Sequence, residues 1–292
     1  MTREVLQLLA GQPLLFGLVA ALFGLVVGSF LNVVVHRLPV MLERQWRRQC
    51  AELTDTAPAA EAEPYSLVRP RSRCPHCGHA IRAHENIPIL SYLWLRGKCS
   101  QCGQGISWRY PAVELLTGLL SFVVAWHFGF GLNAMAALLF TWTLVALAFV
   151  DLETQYLPDN LTLPLLWLGL LVNLDNGFVP LGQAVIGAIA GYLSLWLVFH
   201  GFRLITGKEG MGYGDFKLFA AFGAWLGWQQ LPFIILAASL IGALTGLAMI
   251  LWRGFDRRLP IPFGPFLCAA GWVSLLWGPQ ITQAYLRFAR LG

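Results

Sequence analysis

Apolar runs of membrane-spanning length dominate this chain and constrain its fold more than any other feature. Of the 292 residues, 57% are hydrophobic and 12% are charged, whereas soluble domains carry about 25% charged residues. Because a spanning helix needs about 20 mainly apolar residues, we predict an all-α polytopic membrane protein with about eight transmembrane helices. The predicted spans are 14–35, 111–128, 132–150, 160–175, 181–202, 217–231, 232–252 and 263–285. The first run has no convincing cleavage site, so we expect a retained helix.

Lysine and arginine are unevenly distributed, and their positions predict the topology. Residues 36–110 hold 11 of the 20, and none lies between Tyr110 and Phe202. Because cytoplasmic loops are enriched in both residue types, we place 36–110, 203–217 and 253–262 in the cytoplasm. Even numbers of spans separate these loops, and parity puts 151–159 on the same side. The net charge of +5 is explained by topology, and we expect no nucleic-acid partner, because the chain has no basic, aromatic-interleaved soluble domain.

Two aspartates stand at the edges of apolar runs on this predicted cytoplasmic side. Asp151 directly follows the run ending at Val150, and Asp215 closes the sequence Gly212-Tyr213-Gly214-Asp215 before another run. Ionisable groups at such positions are costly and mark functional sites. Two carboxylates in one site can share a proton and activate water. We therefore predict a catalytic pair, Asp151 and Asp215, although a glycine-rich turn with an aspartate N-cap would explain the second motif alone.

Two further acids follow Asp151 before the next predicted helix. Glu153 and Asp159 flank a polar run that ends at Pro158, and this run breaks the helical pattern. We interpret Glu153 as a solvated loop residue and Asp159 as the cap of the helix that follows.

Four cysteines form two closely spaced pairs, Cys74/Cys77 and Cys99/Cys102, each followed by glycine. This pattern predicts a four-thiolate zinc site with no open position, so the metal would be structural. Two disulfides are the alternative, which a cytoplasmic location disfavours. Cys50 and Cys268 have no predicted partner, and the nearby histidines are interpreted as solvated. The predicted domains are thus a first transmembrane helix at 1–35, a cytoplasmic zinc-binding loop domain at 36–110 and a transmembrane peptidase domain at 111–292.

Several motifs together match one family. They are Gly28-Ser29-Phe30-Leu31-Asn32-Val33-Val34-Val35-His36-Arg37-Leu38-Pro39, the two cysteine pairs, Arg109-Tyr110-Pro111-Ala112-Val113-Glu114, Asp151 with Pro158-Asp159, and Gly212-Tyr213-Gly214-Asp215. Over nearly its full length the chain resembles the bacterial type IV prepilin leader peptidases, which are aspartic peptidases of the inner (cytoplasmic) membrane. The resemblance maps the two catalytic aspartates onto Asp151 and Asp215.

The resemblance also implies substrates and a second reaction. Members of this family cut a short basic leader from prepilins and type II secretion pseudopilins, and many then methylate the new N-terminus with S-adenosylmethionine. Gly97 and Lys98 match the region tied to methyl transfer, and Glu114 is a further candidate for the donor pocket. A peptidase without methyl transfer, an ion-coupled transporter and a non-catalytic secretion component are the alternatives. The expected partners are prepilins, pseudopilins and membrane lipid.

Overall fold

The computed structural model describes residues 2–54, 65–208, 210–253 and 261–289. Residues 55–64 of the predicted cytoplasmic loop domain and 254–260 of the third predicted cytoplasmic loop lie outside this part. The described chain contains no strand beyond isolated bridges, so the predicted all-α class is confirmed. The α-helices of the described residues are α1 (Thr2–Gly11), α2 (Pro13–Leu53), α3 (Leu90–Trp94), α4 (Arg109–Phe128), α5 (Leu132–Thr154), α6 (Asp159–Val172), α7 (Leu181–Thr206), α8 (Tyr213–Leu226), α9 (Leu231–Arg253) and α10 (Gly264–Phe288).

The helices account for a multi-pass membrane protein, although not every predicted span is long enough to cross by itself. Among the described residues, five helical stretches have the length and apolarity of a membrane span: Pro13–Leu53, Arg109–Phe128, Leu132–Thr154, Leu181–Thr206 and Trp228–Leu251. Helices α6 and α8 have 14 residues each, or about 21 Å at 1.5 Å per residue. Both are therefore shorter than the roughly 30 Å hydrocarbon core.

The chain divides into two compact units, residues 1–130 and 131–292. In the first unit, α2 packs along α4 through small residues. A side chain on Gly24 would collide with Ser121, and one on Gly28 would stand 2.7 Å from the Cα of Glu114. Such small residues let membrane helices approach closely.

Helix α2 extends much further than the predicted span 14–35. It continues through Pro39 to Leu53, because residues 40–53 are mostly good helix formers such as Leu, Glu, Arg and Gln. Arg37 is buried on this extension, where it donates to the carbonyl of Ser66 at 2.9 Å and faces the ring of Tyr65. The extension thereby anchors the start of the segment 65–108, which we call the cysteine module.

The second unit is built around α8. Every residue from Asp215 to Leu226 is buried except Lys217, and α8 packs against α6, α7 and α10. A Cβ on Gly223 would lie 2.0 Å from the carbonyl oxygen of Gly187 on α7, and one on Gly271 of α10 would meet the ring of Phe222 at 2.3 Å. Close packing on three sides fixes the first turn of α8, which carries Asp215.

Candidate functional site

Asp151 lies in the last turn of α5, not in the loop that follows it. Its carbonyl oxygen accepts the N–H of Gln155, which ends the helix in a left-handed conformation. The side chain is 5% exposed. Its carboxylate oxygen Oδ2 accepts a 2.9 Å hydrogen bond from the backbone N–H of Gly264, the first residue of α10. An N–H at a helix N-terminus is well placed to stabilise a negative charge.

Asp215 lies in the first turn of α8 and is 8% exposed. Its backbone N–H donates to the carbonyl of Gly212 at 3.2 Å, and this short turn begins the helix. The two carboxyl groups are close enough to interact electrostatically. The structure therefore brings together the two aspartates that the sequence singles out, at the end of α5 and the starts of α8 and α10.

Two glycines allow the surrounding backbone to close on this pair. A Cβ on Gly264 would stand 2.6 Å from Oδ2 of Asp151, and a Cβ on Gly214 would stand 2.7 Å from the Cβ of Leu157. Real Cβ atoms are not found at such distances, so any larger residue would displace its neighbour. Gly214 belongs to the motif that the sequence analysis identified. Gly264 was missed, because it stands 113 residues from Asp151 and only the fold brings it there.

The acids Glu153 and Asp159 have different surroundings from the pair. Glu153 is exposed on the last turn of α5, as expected for a solvated residue. Asp159 is the first residue of α6, but the N-cap position is occupied by Pro158, so the predicted capping role is wrong. The ammonium group of Lys217 instead binds both carboxylate oxygens of Asp159 at 2.6 and 2.7 Å. This ion pair joins α6 to α8, two residues beyond Asp215.

The thiol of Cys268 is buried on α10 within electrostatic range of both aspartates. It is unpaired, as are the other five cysteines. Its burial is typical of a free cysteine that packs as a small apolar residue.

In the first unit, the four predicted ligands come together. The sulfur atoms of Cys74, Cys77, Cys99 and Cys102 all lie within 4.8 Å of one another, and could hold a metal ion. The Sγ–Sγ distance is 3.8 Å for Cys74 and Cys102, and 3.9 Å for Cys77 and Cys99. At a Zn–S distance of about 2.3 Å, the edge of a regular tetrahedron is about 3.8 Å. Disulfide sulfurs would be about 2.05 Å apart, so the alternative of two disulfides is excluded.

The two cysteine pairs have the same local geometry. The N–H of Gly78 donates to the carbonyl of Cys74, and the N–H of Gly103 donates to the carbonyl of Cys99. Both glycines have a positive φ near 70°, which is the conformation expected for a tight knuckle. Backbone N–H groups directed at the sulfurs, foremost that of Cys77, lower the pKa of Cys74 to about 7. Those of Cys102 and Gln101 also lower the pKa of Cys99, whereas burial and the neighbouring thiols raise the pKa of Cys77 to about 12.

Glu85 joins the two knuckles and was not identified from the sequence. Its carboxylate accepts the backbone N–H of Arg82 at 2.8 Å, lies 3.2 Å from the ring of His79, and accepts the hydroxyl of Ser100. These contacts, led by the Arg82 N–H, lower the pKa of Glu85 to about 2. His79 is therefore paired and only 19% exposed at its side chain, so its interpretation as a merely solvated neighbour is wrong.

The predicted methyl-transfer residues are linked through the short helix α3. Glu114 is buried on α4, and its carboxylate accepts the N–H of Ile89 just before α3 at 2.8 Å. Gly97 follows α3 and has a positive φ of 67°. Its N–H donates to the carbonyl of Tyr92 at 2.8 Å. Lys98 pairs with Gly105 in a short bridge. Glu114 and Gly97 thus fix opposite ends of α3.

The fold and these two sites define a class: a multi-pass helical membrane protein with a pair of buried aspartates and a four-cysteine cluster. The model of the bacterial peptidase A24 N-terminal domain matches residues 22–128, and that of the type IV leader peptidase family matches 138–247. The chain therefore belongs to the type IV leader peptidase family, and the resemblance seen in the sequence is confirmed.

Curated relatives agree over almost the whole chain. A protein of Aeromonas salmonicida named prepilin leader peptidase/N-methyltransferase is 58% identical over 97% of this chain and 98% of its own length. Proteins of the same name from Pseudomonas aeruginosa and Legionella pneumophila are 57% and 48% identical, covering 98% and 96% of this chain and 98% of their own lengths. No solved structure matches the chain.

Proposed function

We propose that this enzyme cleaves the leader peptide from prepilins and pseudopilins and N-methylates the new N-terminal residue. The names of the relatives, at 48–58% identity over nearly the whole chain, support both activities. The observation that carries the cleavage reaction is the buried pair Asp151 and Asp215. Two carboxyl groups within electrostatic range, each at the end of a helix, suit activation of a water molecule.

The proposed reaction divides the work between the two acids. One is ionised and takes a proton from water, which attacks the scissile carbonyl. The other is protonated and donates to the carbonyl oxygen, and later steps return the protons so that the leaving amine departs neutral. Because two interacting carboxyl groups titrate as a pair, the roles belong to the dyad. No residue other than Asp151 and Asp215 is required to form or break a bond in this scheme.

The proposed location is the inner (cytoplasmic) membrane, with the dyad and the cysteine module at its cytoplasmic face. The Lys and Arg distribution and the parity of the spans support this sidedness. The apolar helix of a prepilin would then lie in the lipid while its basic leader extends into the cytoplasm. In this arrangement the cleavage site meets the dyad where polar leader and apolar helix join. We also retain the proposed domains 1–35, 36–110 and 111–292.

The test of catalysis is cleavage of a purified prepilin by enzyme in detergent. Asp151→Asn and Asp215→Asn should each abolish cleavage while melting at the temperature of the wild type. Glu153→Gln is the matched control, because this acid is exposed on the same helical turn as Asp151. Cleavage at the wild-type rate by either Asn variant would remove that residue from the mechanism.

We propose that the four cysteines bind one structural zinc ion. The tetrahedral spacing of the four sulfurs fits Zn²⁺, which takes four thiolates in closed sites. With all four positions taken by protein, the ion would stabilise the fold of the cysteine module and take no part in bond breaking.

We propose that methyl transfer uses the first unit, with Gly97, Lys98 and Glu114 near the donor. S-adenosylmethionine would supply the electrophilic methyl group. The buried carboxylate of Glu114 is chemically suited to a sulfonium cation, and α3 connects it to Gly97. These observations support the assignment, as does the match of a dedicated N-terminal domain model to residues 22–128.

Mass spectrometry of the product separates the two activities. With S-adenosylmethionine the cleaved pilin should gain one methyl group. Glu114→Gln and Lys98→Ala should lower methylation more than cleavage, since neither residue belongs to the dyad. Complete cleavage without a mass gain at saturating donor would identify a peptidase that lacks methyl transfer.

A further inference from the structure

A cleft of about 270 Å³ opens between α9 and the start of α10. Apart from Ser239, the residues that line it are apolar. Its walls are formed by Ser239, Gly242, Ala243, Ile261, Phe263 and Phe266. A cleft of this size falls below the roughly 300–1,000 Å³ of small-molecule sites, and it fits a single large side chain.

Glycines on α9 create this space. A Cβ on Gly242 would stand 3.2 Å from the ring of Phe266, and one on Gly246 would stand 3.2 Å from the side chain of Ile261. Larger residues at these positions would fill the gap between the helix and the aromatic wall. The cleft is therefore open because α9 has glycine at positions 242 and 246, one helical turn apart.

The cleft borders the backbone segment that contacts Asp151. Phe263 and Phe266 form one wall, and between them Gly264 donates its N–H to Asp151 at 2.9 Å. The same backbone segment thus contacts the carboxylate on one side and borders the cleft on the other. A peptide lying across the dyad could place a neighbouring side chain in the cleft, because successive residues of an extended chain are about 3.3 Å apart.

The part of α9 that lines the cleft lies within the apolar length of this helix. Gly242 precedes the last residue of this helix, Arg253, by 11 positions, or about 16 Å at 1.5 Å per residue. On the same part of α9, three side chains that do not line the cleft, Leu240, Ile241 and Leu244, are exposed by 62%, 44% and 57%. A side chain that enters here comes from an apolar environment, and so must itself be apolar.

We propose that this cleft binds the first large apolar side chain on the membrane side of the prepilin's scissile bond. This inference rests on the proposed peptidase function and identifies a substrate side chain that the enzyme recognises. Its occupant belongs to the apolar helix of the substrate, because the basic leader lies on the other side of the bond. The cleft holds that side chain while the adjoining peptide bond meets Asp151 and Asp215.

The test fills the cleft and compares two substrates. Ala243 is exposed at the cleft mouth, so Ala243→Trp adds bulk without displacing buried atoms. We expect kcat/KM for a prepilin with a large apolar residue at the bound position to fall at least about tenfold. A prepilin with alanine there should lose less than about threefold. Ile241→Trp is the control, because Ile241 is equally on α9 but does not border the cleft; it should cleave both substrates at wild-type rates.

A second measurement does not depend on turnover. A photoreactive phenylalanine analogue at Ser239, in the Asp151→Asn background, should crosslink to the prepilin at the residues just after the scissile bond. Crosslinks only to the leader, or equal losses on both substrates with Ala243→Trp, would overturn the proposal while wild-type cleavage upheld the peptidase function. Failure of the wild-type enzyme to cleave would instead refute the peptidase function and this inference with it.

Discussion

The contact between Gly264 and Asp151 gives the sharpest prediction about cleavage. In Gly264→Ala the new Cβ would be placed 2.6 Å from Oδ2 and 3.1 Å from Cγ of Asp151, with Leu157 at 3.2 Å on the same side. An unstrained contact is longer by about 0.9 Å, since close packing places non-bonded atoms about 3.5 Å apart at the optimum. Because Leu157 is buried, the carboxylate has to move.

The expected cost follows from that displacement. A shift of about 1 Å in a catalytic group can lower the rate about 100-fold, which corresponds to about 2.7 kcal/mol at 1.36 kcal/mol per factor of ten. We therefore expect kcat of Gly264→Ala to fall by one to two powers of ten. The fall should be in kcat, because the substrate cleft beside Phe263 and Phe266 is retained.

The assay is steady-state cleavage of a prepilin by purified enzyme, together with thermal unfolding in the same detergent. Gly182→Ala is the matched control: Gly182 also lies in the first turn of a helix, α7, and an added Cβ there meets nothing within 4 Å. Its activity should match the wild type. Cleavage by Gly264→Ala within about threefold of wild type would refute the claim that this contact holds Asp151 in its reactive position.

Three further changes test the other contacts. The ion pair between Asp159 and Lys217 is partly exposed, so Asp159→Asn should lower the free energy of unfolding by only about 1 kcal/mol or less and reduce cleavage severalfold. Exchange of the two residues in one protein should restore part of the lost cleavage. No recovery would argue against a role of this pair in positioning Asp215. Cys99→Ser should lower the zinc content measured by mass spectrometry of the metal, whereas Cys50→Ser, at an exposed free thiol, should leave it unchanged. Glu85→Gln should release zinc to a chelator faster than wild type at both pH 7 and pH 5.5. The pKa of Glu85 in the folded protein, about 2, lies below the ordinary 4.5. The carboxylate's contribution to stability is therefore fully present above pH 4.5 and is lost only as the pH falls toward 2. Equal release rates would contradict a joining role for Glu85.

The sequence predicts the parts of this protein that are set by local pattern. Apolar runs mark the helices, and the close spacing of the cysteines brings four sulfurs into one cluster. The two aspartates were identifiable because a charge beside an apolar run is costly. Span lengths were less accurate where helix-forming polar residues extend an apolar helix, as in α2, and where short helices are buried inside the unit, as α8 is.

Contacts between residues far apart in the chain could not be predicted. In the sequence Asp159 is predicted to cap a helix, yet its carboxylate forms an ion pair with Lys217, 58 residues later. Glu85 lies in a polar stretch of the sequence, yet its carboxylate contacts His79 beside one cysteine pair and Ser100 within the other. For Asp159 the local preference is worth about 1 kcal/mol, and the charged Lys217 that the fold supplies is sufficient to override it.

The same reasoning explains why glycine recurs at the aspartate pair. Burial of two carboxyl groups is costly unless nearby donors offset the lost hydration. Backbone N–H groups at helix starts can be such donors, but they reach a buried acid only if no side chain intervenes. At Gly264 the N–H binds Asp151 directly, and at Gly214 the chain of Leu157 closes against the first turn of α8. Gly264 therefore stabilises the buried carboxylate by letting the main chain approach it, and Gly214 lets Leu157 pack against the turn that carries Asp215.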